Sequence, residues 1–289
     1  MNFTKKLFII LLSSIFSIHM IAQDEKEKSI LENALDGFKF RSIGPAFMSG
    51  RIADIAIDHK NENIWYVAVG SGGLWKTTNS GTTWTPLTDK ESFYSTGCVT
   101  IDPHNNEKIW LGTGENVGGR HVGIGHGLFI SEDGGKTWKN SGLKKSEHIS
   151  KIIVHPQDPN TIWVASQGPL WSPGGERGLF KSIDGGKTWK NTLNINKWTG
   201  VTDLVIDSSN PAVLYAASWQ RHRNVAAYMG GGPGTSLHKS TDGGNNWFKI
   251  DNGLPESNMG KIGLAISPIK SNVLYAAVEL DHRKGAVYK

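Results

Sequence analysis

The sequence has little of several features that define common classes of protein. It contains a single cysteine, Cys98, among 289 residues, which excludes an intrachain disulfide. Beyond residue 22 no apolar run approaches the roughly 20 residues of a spanning helix, so we expect no membrane span in the mature chain. The basic residues are scattered along a chain of net charge +5, a pattern that indicates no nucleic-acid partner. His121, His126 and His222 lack the spacing of metal ligands, and we predict neither a metal nor a cofactor.

Residues 1–22 have the pattern of a secretory signal peptide. Lys5 and Lys6 precede an apolar segment over residues 7–18, and Ala22 is the expected last residue before cleavage. No cysteine lies near this position, which argues against a lipid anchor. We therefore expect export to the periplasm, the cell surface or the medium, with residues 23–45 forming a lead-in to the folded part.

Glycine, tryptophan and a repeated turn are abundant. The stretch Ser182–Trp189 contains Asp-Gly-Gly and ends in Trp, and similar stretches recur at intervals of about 50 residues. Asp-Gly-Gly between two apolar runs predicts a tight turn, because glycine accepts the positive φ and the Asp carboxylate can accept backbone hydrogen bonds. We interpret each copy as a strand–turn–strand staple whose carboxylate is structural rather than catalytic. The residues assigned to these turns are Asn79, Asp133, Asp184, Asp242, Trp84, Trp138, Trp189 and Trp247.

A second repeat, offset from the turns, consists of an apolar segment, a polar turn and another apolar segment. Residues 51–58 and 64–69 form its first copy, and four further copies follow. Each repeat then contains four antiparallel strands, A to D, with the Asp-Gly-Gly turn between C and D. This arrangement and period are typical of a propeller blade. We predict an all-β fold, a β-propeller over residues 46–289 with four complete blades and part of a fifth. The propeller would be incomplete and the chain a fragment of a longer protein.

The B–C loops vary most in length, and insertions on one face of a repeat scaffold commonly carry function. We expect their aromatic and arginine side chains to be exposed and to grip sugar rings or peptide side chains. Alternatively, the loops pack on one another and their Arg–Glu pairs only fix loop conformation. The ligand-binding candidates are Arg51, Asn116, Arg120, His121, Trp171, Arg177, Trp219, Arg221, Arg223 and Tyr228. The catalytic candidates are Glu115 and Glu176, which would have to face each other across a cleft.

The repeated turns resemble the Asp box, or BNR repeat, of sialidases, sortilin-type receptors and xyloglucanase-like glycoside hydrolases. The stretch 40–289 resembles exported bacterial BNR-repeat proteins with sortilin-like propellers, most specifically at Gly112–Asn116 and Ser218–Arg221. The resemblance implies that the box is a structural staple between the two outer strands of a blade. Two departures matter. Xyloglucanase-like enzymes carry an Asp where this chain has Gly70, and the arginine triad and nucleophile pair of sialidases are not identifiable here.

Two hypotheses about function stay open. The sequence favours an exported propeller that binds a peptide, protein or glycan through its B–C loops. The alternative is a glycoside hydrolase that acts on a polysaccharide, either xyloglucanase-like or sialidase-like. A hydrolase needs two carboxylates a few ångströms apart on the loop face, whereas a binding protein needs only aromatic and hydrogen-bonding groups.

Overall fold

The computed structural model describes residues 50–119, 122–281 and 284–289. The proposed signal peptide and lead-in, together with Arg120 and His121, lie outside the described residues. Within the described part of the chain there is no α-helix, and no helix there is long and apolar enough to cross a membrane.

Five successive antiparallel sheets form the described fold, and in each the strands follow chain order. The prediction of an incomplete β-propeller with four-stranded antiparallel blades is confirmed. Blade 1 contains β1 (Ile52–Ile57), β2 (Trp65–Val69), β3 (Gly73–Thr77) and β4 (Thr85–Pro86). Blade 2 contains β5 (Thr96–Asp102), β6 (Asn105–Thr113), β7 (Leu128–Ser131) and β8 (Lys139–Asn140). Blade 3 contains β9 (Ile149–His155), β10 (Asp158–Ser166), β11 (Gly178–Ser182) and β12 (Lys190–Leu193).

Blade 4 differs from the others because its B–C loop contains a two-stranded hairpin. The blade itself contains β13 (Thr199–Ile206), β14 (Leu214–Gln220), β17 (Ser236–Ser240) and β18 (Phe248–Ile250). The hairpin pairs β15 (His222–Arg223) with β16 (Tyr228–Met229). The fifth sheet has three strands, β19 (Ile262–Ile266), β20 (Leu274–Val278) and β21 (Ala286–Tyr288). The sequence pattern did not predict the hairpin, because a two-residue strand is too short to show alternation.

The hydrophobic core lies between neighbouring blades. One cluster joins Cys98 and Trp110 of blade 2 to Ile152 and Val164 of blade 3. These side chains project from the facing sheets, since alternate residues of a strand point to opposite faces. Burial raises the pKa of the Cys98 thiol, which lies inside this cluster. Packing of blade on blade therefore supplies the burial that no single small sheet could supply alone.

The Asp-Gly-Gly turns also connect neighbouring blades. Gly186 has a φ of +85°, and a Cβ there would lie 2.6 Å from the Trp110 ring of the preceding blade. Trp163 likewise donates from Nε1 to the carbonyl of Gly243, at 3.1 Å. Glycine is thus required at position 186 both for its backbone conformation and for the space that a buried ring needs.

Candidate functional site

The loop face is the end of the blades opposite the Asp-Gly-Gly turns. It comprises the B–C loops 114–127, 167–177 and 221–235 and the segments 141–148, 194–198 and 251–261 that lead to the next blade. Antiparallel order places both kinds of connection at one end of each sheet. Most of the residues predicted as site candidates lie on this face, and their contacts show what each one does.

Glu115 is buried beneath the loop face and fully engaged. Its carboxylate forms an ion pair with Arg51 and accepts hydrogen bonds from Ser71 Oγ at 3.3 Å and from Gly123 N at 2.7 Å. A Cβ at Gly70 would lie 2.5 Å from Glu115 Oε1. The Glu115 carboxylate from blade 2 therefore fills the space that a side chain at position 70 would occupy.

Asn116 is a junction between blades 2, 3 and 5. Lys261 Nζ donates to the Asn116 carbonyl at 2.6 Å and to Asn116 Oδ1 at 2.9 Å, and Gln167 Nε2 donates to the same Oδ1. Burial, together with the neighbouring Arg221 guanidinium, lowers the pKa of Lys261 to about 8. The contact joins residues 145 positions apart in the chain, so the B–C loop of blade 2 is tied across the described fold to blade 5.

Arg177, Arg221 and Trp219 are buried rather than exposed, which corrects the expectation from sequence. Arg221 donates to the carbonyls of Val117 at 3.0 Å and Gly168 at 3.3 Å, and Trp219 Nε1 donates to the carbonyl of Gly230 at 2.8 Å. The Arg177 guanidinium donates to four carbonyls within its own loop. Long donors that satisfy loop carbonyls hold the loops in place, because buried backbone acceptors need partners. Their roles toward a ligand stay predictions.

Three further candidates come from the hairpin of blade 4 and the loop of blade 3. Arg223 is buried, which again corrects the expectation from sequence, whereas Tyr228 is half-buried and Trp171 is exposed. Arg223 N donates to the carbonyl of Leu170 at 3.0 Å, which ties the hairpin to the loop of blade 3. The Arg223 guanidinium lies over the Tyr228 ring, 4.6 Å from its centroid. Trp171, beside Leu170, is 49% exposed. An exposed indole, a phenol and a guanidinium therefore come from two loops held together by a backbone hydrogen bond.

Glu176 lies at a cleft of about 590 Å³ lined by Gly142, Leu143, Lys144, Lys145, Gly175 and Glu176. Its Oε2 accepts a hydrogen bond from Lys145 N at 2.7 Å. Glu115 instead contacts Arg51, Ser71 and Gly123, so the two predicted carboxylates have different partners. Their pairing across a cleft stays a prediction.

Glu147 is a candidate that the sequence analysis missed. Its φ of +56° is uncommon for a residue other than glycine, and such backbone conformations often occur at functional sites. Burial raises the pKa of this carboxyl group, although Arg177 and Arg221 act in the opposite direction. No motif surrounds Glu147 in the sequence, so only the packing of segment 141–148 against the loop of blade 3 identifies it.

Next to it, His148 is almost completely buried, and its Nδ1 lies 3.1 Å from the Glu115 carbonyl. Burial lowers the pKa of His148 to about 3, and Arg221 and Arg177 also disfavour its protonated form. The imidazole is therefore neutral at pH 7 and acts as a structural part of the loop face.

The four repeated turns lie at the other end of the sheets. Asp184 accepts hydrogen bonds from Ser182 Oγ at 2.7 Å, from Thr188 N at 2.9 Å and from Thr188 Oγ1 at 2.6 Å. The Thr188 hydroxyl and the other donors hold the pKa of Asp184 well below its usual range. Asp133 and Asp242 have equivalent contacts. A carboxylate held ionised by four donor contacts is poorly suited to give up or take a proton, and its role as a staple stays a prediction.

Among the residues that the structure describes, no group of three or more His, Cys, Asp or Glu side chains could hold a metal ion.

The succession of four-stranded sheets and the network of loops at one end define a repeat protein of the propeller class. A family model described as sortilin, neurotensin receptor 3, matches residues 126–281, and the chain belongs to this Sortilin-Vps10 family.

Curated relatives are xyloglucanases. A probable oligoxyloglucan-reducing end-specific xyloglucanase of Neosartorya fischeri is 25% identical over 236 residues, which cover 74% of this chain and 25% of the relative. A xyloglucanase of Acetivibrio thermocellus is 26% identical over 250 residues, 78% of this chain and 27% of the relative. The crystal structure of a GH74 enzyme of Niastella koreensis has a TM-score of 0.58 at 20% identity and covers 79% of this chain and 34% of that enzyme. The chain spans about a quarter of the length of these curated relatives.

Proposed function

We propose that the protein is an exported glycoside hydrolase that binds and cleaves a polysaccharide on its loop face. The observation that carries the proposal is that the curated relatives, matched over about three quarters of this chain, are xyloglucanases. They favour the hydrolase hypothesis over the binding of a peptide or protein ligand, which the sequence alone favoured. Glycan binding is common to both hypotheses.

The surface of blade 3 supports this proposal. The cleft at Glu176 shares Gly175 with a second cleft of about 350 Å³, lined by Gly174, Gly175, Arg177, Asn191, Asn194, Ile195, Asn196 and Lys197. Amide and ammonium groups along an open surface suit the hydroxyl groups of a sugar chain, and exposed Trp171 in the same loop suits stacking on a sugar ring. A polysaccharide needs such an open path, because its chain continues on both sides of the cleaved bond.

The catalytic carboxylates that we propose are Glu147 and Glu176. Glycoside hydrolysis needs a protonated carboxyl group as the acid and a second carboxylate roughly 5 to 9.5 Å away. Burial raises the pKa of Glu147, and a raised pKa favours the protonated form that can donate its proton to the leaving oxygen. Glu176 pairs through its backbone and side chain with Lys145, two residues from Glu147. Glu115 has three donors on its carboxylate and acts instead by holding Arg51 and the loop.

The test is to incubate the purified full-length protein with xyloglucan and a panel of other plant and bacterial polysaccharides and to measure new reducing ends. We expect release from at least one polysaccharide, and a loss of about 100-fold or more in rate for Glu147→Gln, because glutamine cannot donate the proton that the Glu147 carboxyl group supplies. Glu176→Gln should be similarly impaired. Asp184→Asn, at the opposite end, is the matched control and should keep its activity.

Two results would contradict the proposal. The first is no release from any polysaccharide by a folded wild-type protein, even if a glycan is retained on it. The second is activity that survives both glutamate substitutions but is lost in Asp184→Asn, which would move catalysis to the turns.

A further inference from the structure

Arg223 is a buried cation that forms no ion pair with the described part of the chain. Its side chain is only 8% exposed, and its Nε–H has no hydrogen-bond partner. Among the described residues, no carboxylate lies within 4.0 Å of its guanidinium nitrogens. Burying a charge without a partner is costly, so an anion that completes the site would be bound favourably.

Neighbouring groups add positive charge rather than neutralise it. Arg221 is fully buried, and its Nε–H also lacks a partner. Tyr228 lies under the Arg223 guanidinium, and its hydroxyl is close enough to Arg221 for that charge to lower the Tyr228 pKa against the effect of burial. Lys261 is the third cation, 5.6 Å from the centroid of the Trp219 ring. Glu279 interacts with Tyr228 and Lys261, but its carboxylate accepts the backbone N–H of Lys261 and lies at the surface.

The guanidinium of Arg223 is a group suited to a carboxylate. It lies over the Tyr228 ring, 4.6 Å from the centroid, and a guanidinium edge binds a carboxylate through two parallel hydrogen bonds. The carbonyl of Leu170 accepts the backbone N–H of Arg223, so the backbone of Arg223 is tied to the loop segment that carries the exposed Trp171 ring. The Trp171 ring can stack on a sugar, and the Arg223 guanidinium can bind a carboxylate through two hydrogen bonds. These two groups fit a sugar residue that carries a carboxylate.

We propose that Arg223, with Tyr228 and Arg221, binds the carboxylate of a uronic acid residue in the polysaccharide. This inference rests on the proposed function, and it assigns the substrate to the acidic polysaccharides rather than to neutral glucans. An acidic peptide could also offer a carboxylate, but the exposed indole in the loop tied to Arg223 and the polysaccharide-cleaving relatives favour the sugar.

The test compares two probes on the full-length protein by isothermal titration calorimetry. One probe is an oligosaccharide ending in glucuronic acid, and the other is the same oligosaccharide ending in glucose. We expect the acidic probe to bind about 10-fold more tightly, and Arg223→Gln to weaken its binding by about 10- to 100-fold while leaving the neutral probe little changed. Arg223→Lys keeps the positive charge but loses the two parallel N–H donors, so its affinity for the acidic probe should lie between those of the wild type and Arg223→Gln. Lys187→Gln, in a turn at the other end, is the control.

The ratio of the two dissociation constants separates recognition from folding, because a misfolded variant loses both probes together. The site would be overturned if both probes bound with equal affinity, if neither bound, or if Arg223→Gln left the ratio unchanged. Preference for an acidic peptide over the acidic oligosaccharide would also overturn it. If both probes bind equally and a neutral polysaccharide is cleaved, the hydrolase stands without the site. If the acidic probe binds through Arg223 but no polysaccharide is cleaved, the site stands without the hydrolase.

Discussion

Lowering the pH from 7 to 5 is expected to cost the protein about 4 kcal/mol of unfolding free energy through two buried histidines. Burial lowers the pKa of His148 to about 3 and that of His238 to about 4, from an ordinary value of 6.5. Arg221 and Arg177 also oppose the charge on His148, and Lys249 opposes that on His238, where Asp251 favours it. Both side chains are under a tenth exposed, so solvent screens these effects little.

The direction follows from proton binding. Above pH 6.5 both histidines are neutral in the folded and unfolded states, and they contribute no pH dependence. Below pH 6.5 the two histidines bind protons in the unfolded chain but stay neutral in the folded chain. The free energy of unfolding therefore falls with pH until the folded pKa values are reached. At pH 5 each histidine accounts for about 2 kcal/mol.

Urea denaturation at pH 7 and pH 5 measures this effect. The double variant His148→Gln and His238→Gln should lose much less stability between the two pH values than the wild type. The comparison with the variant is needed because Glu147 and Asp203 have raised pKa values, which oppose the trend. An equal loss in wild type and variant would show that the histidines do not carry the pH dependence.

Replacing Trp110 with alanine is expected to lower the free energy of unfolding by about 3–5 kcal/mol. The ring is fully buried, belongs to the core between blades 2 and 3, and contacts the Gly186 turn. Its removal leaves a cavity that the two rigid sheets cannot close. Chemical denaturation monitored by circular dichroism measures the loss.

Trp84 is the matched control for this substitution. It is 39% exposed and closes the equivalent turn in blade 1. Trp84→Ala should therefore lower the free energy of unfolding by much less than Trp110→Ala does. Equal losses at the two positions would mean that tryptophan content, rather than packing between blades, determines stability.

Much of the fold could be predicted because its signals are local. Stretches such as Ser182–Trp189 contain the glycine and Asp residues that a tight turn requires, and their recurrence gives the number of blades without any knowledge of long-range contacts. The strands on either side of each turn then follow from apolar alternation.

The candidate site could be predicted only in part because its contacts join distant loops. Trp219 and Arg221 have the composition of an exposed binding surface, but partners such as Val117 and Gly168 come from other blades and bury them. Glu147 carries no local signature, and its raised pKa depends on burial by a loop of the next blade. The composition of the loops thus predicted which face carries the candidate site, but not which of its side chains are buried or have a shifted pKa.

The central claim is that a sugar chain binds to the loop face, and amide hydrogen exchange with and without oligosaccharide tests it most directly. We predict slower exchange in the loops around Glu115, Arg177 and Arg223, with the turn at Asp184 unchanged. Slower exchange confined to the Asp-Gly-Gly turns, or no change anywhere at saturating oligosaccharide, would contradict the account.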